Sequence, residues 1–197
     1  VKETDQTMNA TTGHAPSPPR VSTPASALPA WLIGELRSDH AGETGAVMIY
    51  RGILAVSRDA GVRSFSERHK ATEQGHLDLL EALLPPAQRS RLLPIWRVAG
   101  WLTGAIPSLF GPRAVYATID AVETFVDHHY QAQIDRLDAE GIHPDIRALL
   151  EHCRLEEVHH RDEARDLGDA PPGAALRFWS RLVGSGSAAA VSAARRV

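Results

Sequence analysis

The chain has 197 residues, 43% hydrophobic and 23% charged, a balance that suits one soluble globular domain with a full-sized core. A formal charge of −3, from 21 basic and 24 acidic residues with no basic cluster, argues against a nucleic-acid partner. One cysteine, Cys153, excludes an intramolecular disulfide, a four-cysteine zinc site and a rubredoxin-type iron site; no apolar run follows a basic start, so the expected setting is reducing and intracellular.

Residues 1–27 are rich in Thr, Ser, Pro and Ala and show no apolar period, so they are expected to form a disordered tail ahead of one domain over residues 28–197. Glu3, Asp5 and a single Arg argue against a mitochondrial targeting segment. A first helix is predicted from Pro29 to about Asp59, with Leu32, Leu36, Val47, Tyr50 and Leu54 inward, Asp39 and Glu43 on the same stripe, and Gly61 marking the break. The second, Val62 to Leu84, ends at Pro85-Pro86 and puts Glu73 among Phe65, His69, His76, Leu77 and Leu80.

The third segment differs in kind. Leu92 to Phe110 holds one charge, Arg97, with Trp96 and Trp101 five apart. Its length approaches a membrane span, but Pro94, Pro107, two glycines and Arg97 disfavour crossing. Composition leaves two readings, a shallow in-plane insertion into a bilayer or a buried lid over the helices. Pro112 opens a fourth helix that Gly141 closes, with Glu123 on the stripe of Tyr116, Ile119, Val126, Tyr130, Ile134 and Leu137. Pro144 and Asp145 open a fifth that ends near Gly168. After Pro171-Pro172-Gly173 a last helix carries Leu176, Trp179, Leu182, Val183 and Val191 beside Arg177, Arg181, Arg195 and Arg196. Its Gly184–Ala189 stretch matches G-x-G-x-x-A but follows no strand, which removes it as a dinucleotide site.

The fifth helix reads Leu155-Glu156-Glu157-Val158-His159-His160, so E-x-x-H fits two registers. Glu157 and His160 share the apolar stripe of Leu150, Cys153, Ala164 and Leu167. Glu156 and His159 fall on a polar face with Leu149, His152 and Glu163. The core register is therefore Glu157/His160, and Glu73/His76 repeats it. An i,i+3 pair projects a carboxylate and an imidazole from one face, a bidentate grip for a metal. Four helices each giving a Glu (Glu43, Glu73, Glu123, Glu157), two adding a His (His76, His160), define an all-α, ferritin-like four-helix bundle with a dinuclear carboxylate site. Buried carboxylates in such number need cations, and two divalent ions balance four glutamates. The oxygen-rich set suits iron or manganese better than zinc or copper. Glu73 and Glu157 are the expected bridging acids, Glu43 and Glu123 terminal ligands, and Asp39 an outer acceptor that fixes a histidine tautomer.

The stretch Asp39-His40-Ala41-Gly42-Glu43-Thr44-Gly45-Ala46 through Ile49-Tyr50, then Glu73-x-x-His76, Glu123 with His128-His129-Tyr130 downstream, and Glu157-x-x-His160 resembles the demethoxyubiquinone hydroxylases. The likeness runs from about Trp31 to the C terminus and includes the apolar third segment and the arginine-bearing last helix. It implies a di-iron monooxygenase of ubiquinone biosynthesis that uses two Fe ions and O2 to hydroxylate the ring of a demethoxyubiquinol. It also implies a polyprenyl quinol substrate, docking through Leu92 to Phe110, and ubiquinone-biosynthesis protein partners. The expected location is peripheral, on the cytoplasmic face of a bacterial inner membrane or the matrix side of the mitochondrial one. His129 and Tyr130 match positions tied in that family to electron delivery; a core tyrosine bonded to a carboxylate is the other reading of Tyr130. A ferritin-like iron-binding or ferroxidase protein shares the ligand set and is the alternative.

Overall fold

The computed structural model describes residues 18–169 and 173–197, and every regular element in them is helical. The α-helices are α1 Ala30–Val56, α2 Ala60–Leu83, α3 Leu93–Ser108, α4 Pro112–Glu140, α5 Pro144–Leu167 and α6 Ala174–Ala194, with 3-10 turns at Ala25–Ala27 and Pro86–Gln88. The long helices α1, α2, α4 and α5 build a ferritin-like bundle in which α1 pairs with α2 and α4 with α5. α3 lies along α1, and α6 packs on α4 and α1.

The apolar stripes do not merge into one continuous core. One layer gathers Leu32, Leu36, Leu80, Ile134 and Leu150 around Tyr130. The other gathers Tyr50, Ile53, Phe65, Ile119 and Val122. On each long helix the residues between the two layers are the acids and histidines singled out above, so the polar layer is enclosed by oil at both ends.

Several boundaries move for physical reasons. α1 ends at Val56 rather than near Asp59, because Asp59 caps the next helix, its carboxylate accepting the Val62 N–H at 2.9 Å. Gly61 then sits inside α2 and marks no break. Pro94 falls in the first turn of α3, where its missing N–H costs nothing. Of the expected tail, residues 1–17 lie outside the described residues, but the rest is tied down. Val21 packs on the first apolar layer, and the Ser22 and Thr23 N–H groups donate to Asp145 at 2.8 and 2.9 Å. Burial works against the charge on Asp145, but these donors outweigh it and hold its carboxyl well below the usual range. The Pro171-Pro172 part of the expected turn also lies outside the described residues.

Glycines set the contact between α1 and α3. A Cβ at Gly104 would stand 1.9 Å from the Ile49 carbonyl oxygen, one at Gly52 2.1 Å from that of Trp101, and one at Gly100 2.4 Å from that of Gly45. Backbone rests on backbone there, and no side chain can yield. Gly104→Ala is expected to lower stability by about 1–3 kcal/mol through overpacking. Gly75→Ala, in open space on α2, should instead raise it by about 0.5–1 kcal/mol. Urea unfolding of the two variants checks the contrast, and a neutral Gly104→Ala would count against the close crossing.

Candidate metal centre

Glu43, Glu73, His76, Glu123, Glu157 and His160 are all buried and meet in the polar layer. Their donor atoms form two groups, Glu43, Glu73, His76, Glu157 and Glu73, Glu123, Glu157, His160, each with all four atoms within 4.8 Å of one another. Glu73 and Glu157 belong to both groups. Exposure separates the two registers: the His159 side chain is 74% exposed, the His160 side chain 2%.

Hydrogen bonding within this layer is incomplete. Both Glu73 carboxylate oxygens, Glu157 Oε1 and His76 Nδ1 are buried without a hydrogen-bond partner. His76 Nδ1 and Glu157 Oε1 stand 2.9 Å apart, yet neither atom has a hydrogen-bond partner. Unpaired buried acceptors of this kind are rare and costly. Two cations would satisfy them, so the residues fit a metal pair.

Titration in the layer is split between its members. Burial raises Glu123, and the neighbouring Glu157 and Glu73 carboxylates raise it further; burial, Glu157 and Glu43 do the same to Glu73. Burial would also raise Glu157, but the His160 and His76 imidazoles outweigh it and hold that carboxyl well below the usual range. Burial opposes charge on the two imidazoles. The hydrogen bond of His76 to Glu156 with the nearby Glu157 and Glu43 carboxylates, and the Glu157 and Glu123 charges near His160, overcome it and raise both.

Around this set stand supports that the sequence reading places elsewhere or does not use. Glu156, assigned to the solvated face, bends back to His76 Nε2 at 2.6 Å, the outer bond that orients an imidazole whose other nitrogen faces the carboxylates. His69 packs its ring 4.0 Å from that of His160 and bonds Glu163 at 2.8 Å. Burial and the His160 charge push its pKa down to about 4, so it packs as a neutral ring. Adjacent acids and extra histidines on facing helices carried this signal in the sequence. The Tyr130 hydroxyl donates to Glu43 Oε1 at 2.5 Å, which is the core-tyrosine geometry. Asp39 does accept from an imidazole, but that of His129 at 2.9 Å rather than of His76 or His160. His129 Nδ1 in turn faces Arg195, the residue that follows α6, at 3.3 Å.

A cavity of about 470 Å³ opens beside the cluster between α1, α3, α4 and α6. Glu43, Glu123 and Glu157 line its inner end, and Trp96 and Thr103 line its α3 wall. At its outer end are Ile95 and Leu182, 64% and 55% exposed, so the space runs from the carboxylates to an apolar surface. Val98, Leu102, Leu109, Phe110 and Phe178 on or beside α3 and α6 are exposed as well. Among the described residues no helix is long and apolar enough to cross a membrane.

Fold and site together define a ferritin-like bundle with a buried carboxylate and histidine cluster suited to metal. Comparison narrows the class. Residues 30–194 match the family model described as ubiquinone biosynthesis protein COQ7, and the chain belongs to that family. It is 36% identical over 178 residues to the 3-demethoxyubiquinol 3-hydroxylase of Rhodospirillum rubrum, a match covering 88% of this chain and 82% of the relative. The mitochondrial NADPH-dependent 3-demethoxyubiquinone 3-hydroxylases of Rattus norvegicus and Homo sapiens are 35% and 31% identical to it, each over 82% of this chain and 76% of their own length.

Proposed function

We propose that this chain is an O2-dependent hydroxylase acting on the ring of a demethoxyubiquinol, with two iron ions held by the six buried ligands. The observation that carries this reading is the cavity joining the carboxylate layer to an exposed apolar face. Glu43 and His76 would hold one ion, Glu123 and His160 the other, with Glu73 and Glu157 between them, as the two donor groups suggest. The iron pair supplies the redox chemistry that activates O2, which no side chain here can supply.

The chain's own residues bind, orient and keep the site dry. Tyr130 fixes the carboxylate of Glu43, and Glu156 fixes the His76 ring. The two apolar layers exclude water above and below. The cavity gives the ring a place beside the cluster, with the polyprenyl tail leading outward past Ile95 and Leu182. His129 lines that cavity and Tyr130 joins it to Glu43, a placement that supports their role in electron delivery.

A bilayer-dissolved substrate calls for peripheral docking through α3 and the exposed end of α6, on the cytoplasmic face of a bacterial inner membrane or the matrix side of the mitochondrial one. Other ubiquinone-biosynthesis proteins would meet the chain there. Phe110→Asp with Phe178→Asp is expected to reduce co-sedimentation with phospholipid vesicles about tenfold or more, because each replaces an exposed aromatic side chain that would enter the lipid boundary with a charge. Unchanged partitioning would remove this docking face.

The ferroxidase alternative shares the ligands but needs neither the cavity nor the apolar face. Quinone profiling of cells lacking the protein distinguishes the two. A demethoxy precursor should accumulate, and a normal quinone pool would reject hydroxylation. Recovery of the chain in soluble cages loaded with many irons would favour the alternative.

A further inference from the structure

Charge is not spread evenly along the chain. Between Glu81 and Asp120 stand Arg89, Arg91, Arg97 and Arg113 and no acidic side chain; after Asp169 stand Arg177, Arg181, Arg195 and Arg196, again with none. These stretches contain α3 and α6, so a chain of net charge −3 carries all its acids elsewhere and is cationic on the two helices that flank the cavity mouth. Arginines farther along α4 and on α5 are paired: Arg136, Arg147 and Arg165 meet Glu140, Asp138 and Asp120 at 2.8, 3.1 and 2.6 Å. Arg97, Arg113 and Arg181 are exposed too, but among the described residues none of the three has a carboxylate partner. Helix stability does not account for them. Arg113 falls in the first turn of α4, the positive end of the helix dipole, where a cation is unfavourable. In sequence each stands beside exposed apolar residues: Arg97 between Ile95 and Val98, Arg113 three residues after Phe110, and Arg181 between Phe178 and Leu182.

We propose that the face around the cavity mouth selects a bilayer of anionic phospholipid, with Arg97, Arg113 and Arg181 taking the headgroup phosphates while Phe110, Phe178 and Leu182 enter the acyl boundary. The inference rests on the docking reading above and adds which lipid the face prefers. A guanidinium presents a planar fork of N–H donors that matches two phosphate oxygens. Its methylene stem tolerates apolar surroundings while its head stays at the interface, so arginines set among exposed apolar side chains suit headgroups lying over acyl chains. The apolar side chains stand on separate helices on either side of an open mouth, a contour that fluid acyl chains can follow and a rigid acidic protein surface cannot. Ile95 and Leu182 at the mouth belong to the same two helices, so headgroup contact turns the cavity toward the leaflet in which a polyprenyl tail is dissolved.

The test measures partitioning of the full chain onto vesicles of phosphatidylcholine alone and of phosphatidylcholine with about one third phosphatidylglycerol. The anionic vesicles should bind about tenfold tighter or more, and the preference should vanish near about 1 M salt, where screening acts within about 3 Å. Replacing Arg97, Arg113 and Arg181 together by Gln should bring anionic binding down to the phosphatidylcholine value and leave the latter within about twofold. Replacing Arg136, Arg147 and Arg165 together by Gln removes the same charge from the chain but leaves this face intact, and should keep the preference. Should the first variant not fold, the unaltered chain decides through lipid composition and salt. Equal binding to the two vesicles, a preference that survives in the first variant, or one lost equally in both variants overturns the proposal. So does a face that joins two copies of the chain, seen as a doubled mass in solution that the first variant halves and as no preference between vesicles. Equal but firm binding to both vesicles leaves the docking reading standing, whereas binding to neither removes that reading as well.

Discussion

Glu157→Ala is expected to empty both metal positions and to lower hydroxylation more than about a hundredfold, while His160→Ala releases chiefly one ion. The difference follows from membership. Glu157 contributes to both donor groups, His160 only to the group with Glu123. Elemental analysis after anaerobic reconstitution should give close to no iron per chain for the first variant and about one for the second, with far-ultraviolet circular dichroism showing the helices retained. His159→Ala, at an exposed position one residue away, should change neither quantity. Full metal content in Glu157→Ala would mean that the bridging assignment is wrong.

The second large effect concerns stability without metal. Glu73 and Glu123 are raised above their ordinary 4.5 by burial and by neighbouring carboxylates, so the folded chain holds protons there that the unfolded chain has released. Such groups stabilise fully below the ordinary glutamate range, and the contribution is lost as pH rises through their folded values. The raised imidazoles of His76 and His160 act with the same sign above 6.5. Glu157, held low, has the opposite sign and matters only below the ordinary range. The chelated protein should therefore melt at a lower temperature at pH 8 than at pH 5.5. Glu123→Gln should flatten that dependence and stabilise the chelated protein at pH 8 by about 1–4 kcal/mol, while weakening metal loading. With metal bound the order should invert, because the cation then needs the charge that the amide lacks. Thermal unfolding with chelator and with metal gives all four values, and a destabilised chelated Glu123→Gln would contradict the argument.

How far the sequence could be read depended on the range of each interaction. Helix α4 was legible end to end because Pro112 and Gly141 are local punctuation, and Gly141 indeed adopts the left-handed conformation with φ 63°. The six buried acids and histidines of the candidate site were legible because helical periodicity assigns a face without knowledge of the partner helix. Glu156 was not, since its carboxylate leaves the solvated face only to meet His76 from a different helix. Asp39 was legible as an acceptor for a histidine, but not which one, since His129 is ninety positions along the chain. Composition placed residues 18–27 in a disordered tail, but it could not register that two N–H groups would find the Asp145 carboxylate. The glycines of the third segment read as arguments against a membrane span. Their structural use, against Gly45, Ile49 and Ile53 of α1, depends on a crossing that no local pattern reveals.

That crossing fixes a depth. Ile49 and Gly45 offer main-chain carbonyls to α3, and Glu43 hangs from the same stretch of α1, so the spacing between the outer face of α3 and the carboxylate layer is measured in peptide units rather than in rotamers. Side chains on the outer face can be exchanged without altering it. The molecule thus carries its own ruler between surface and chemistry, and a single added methyl group at Gly104 would change its length.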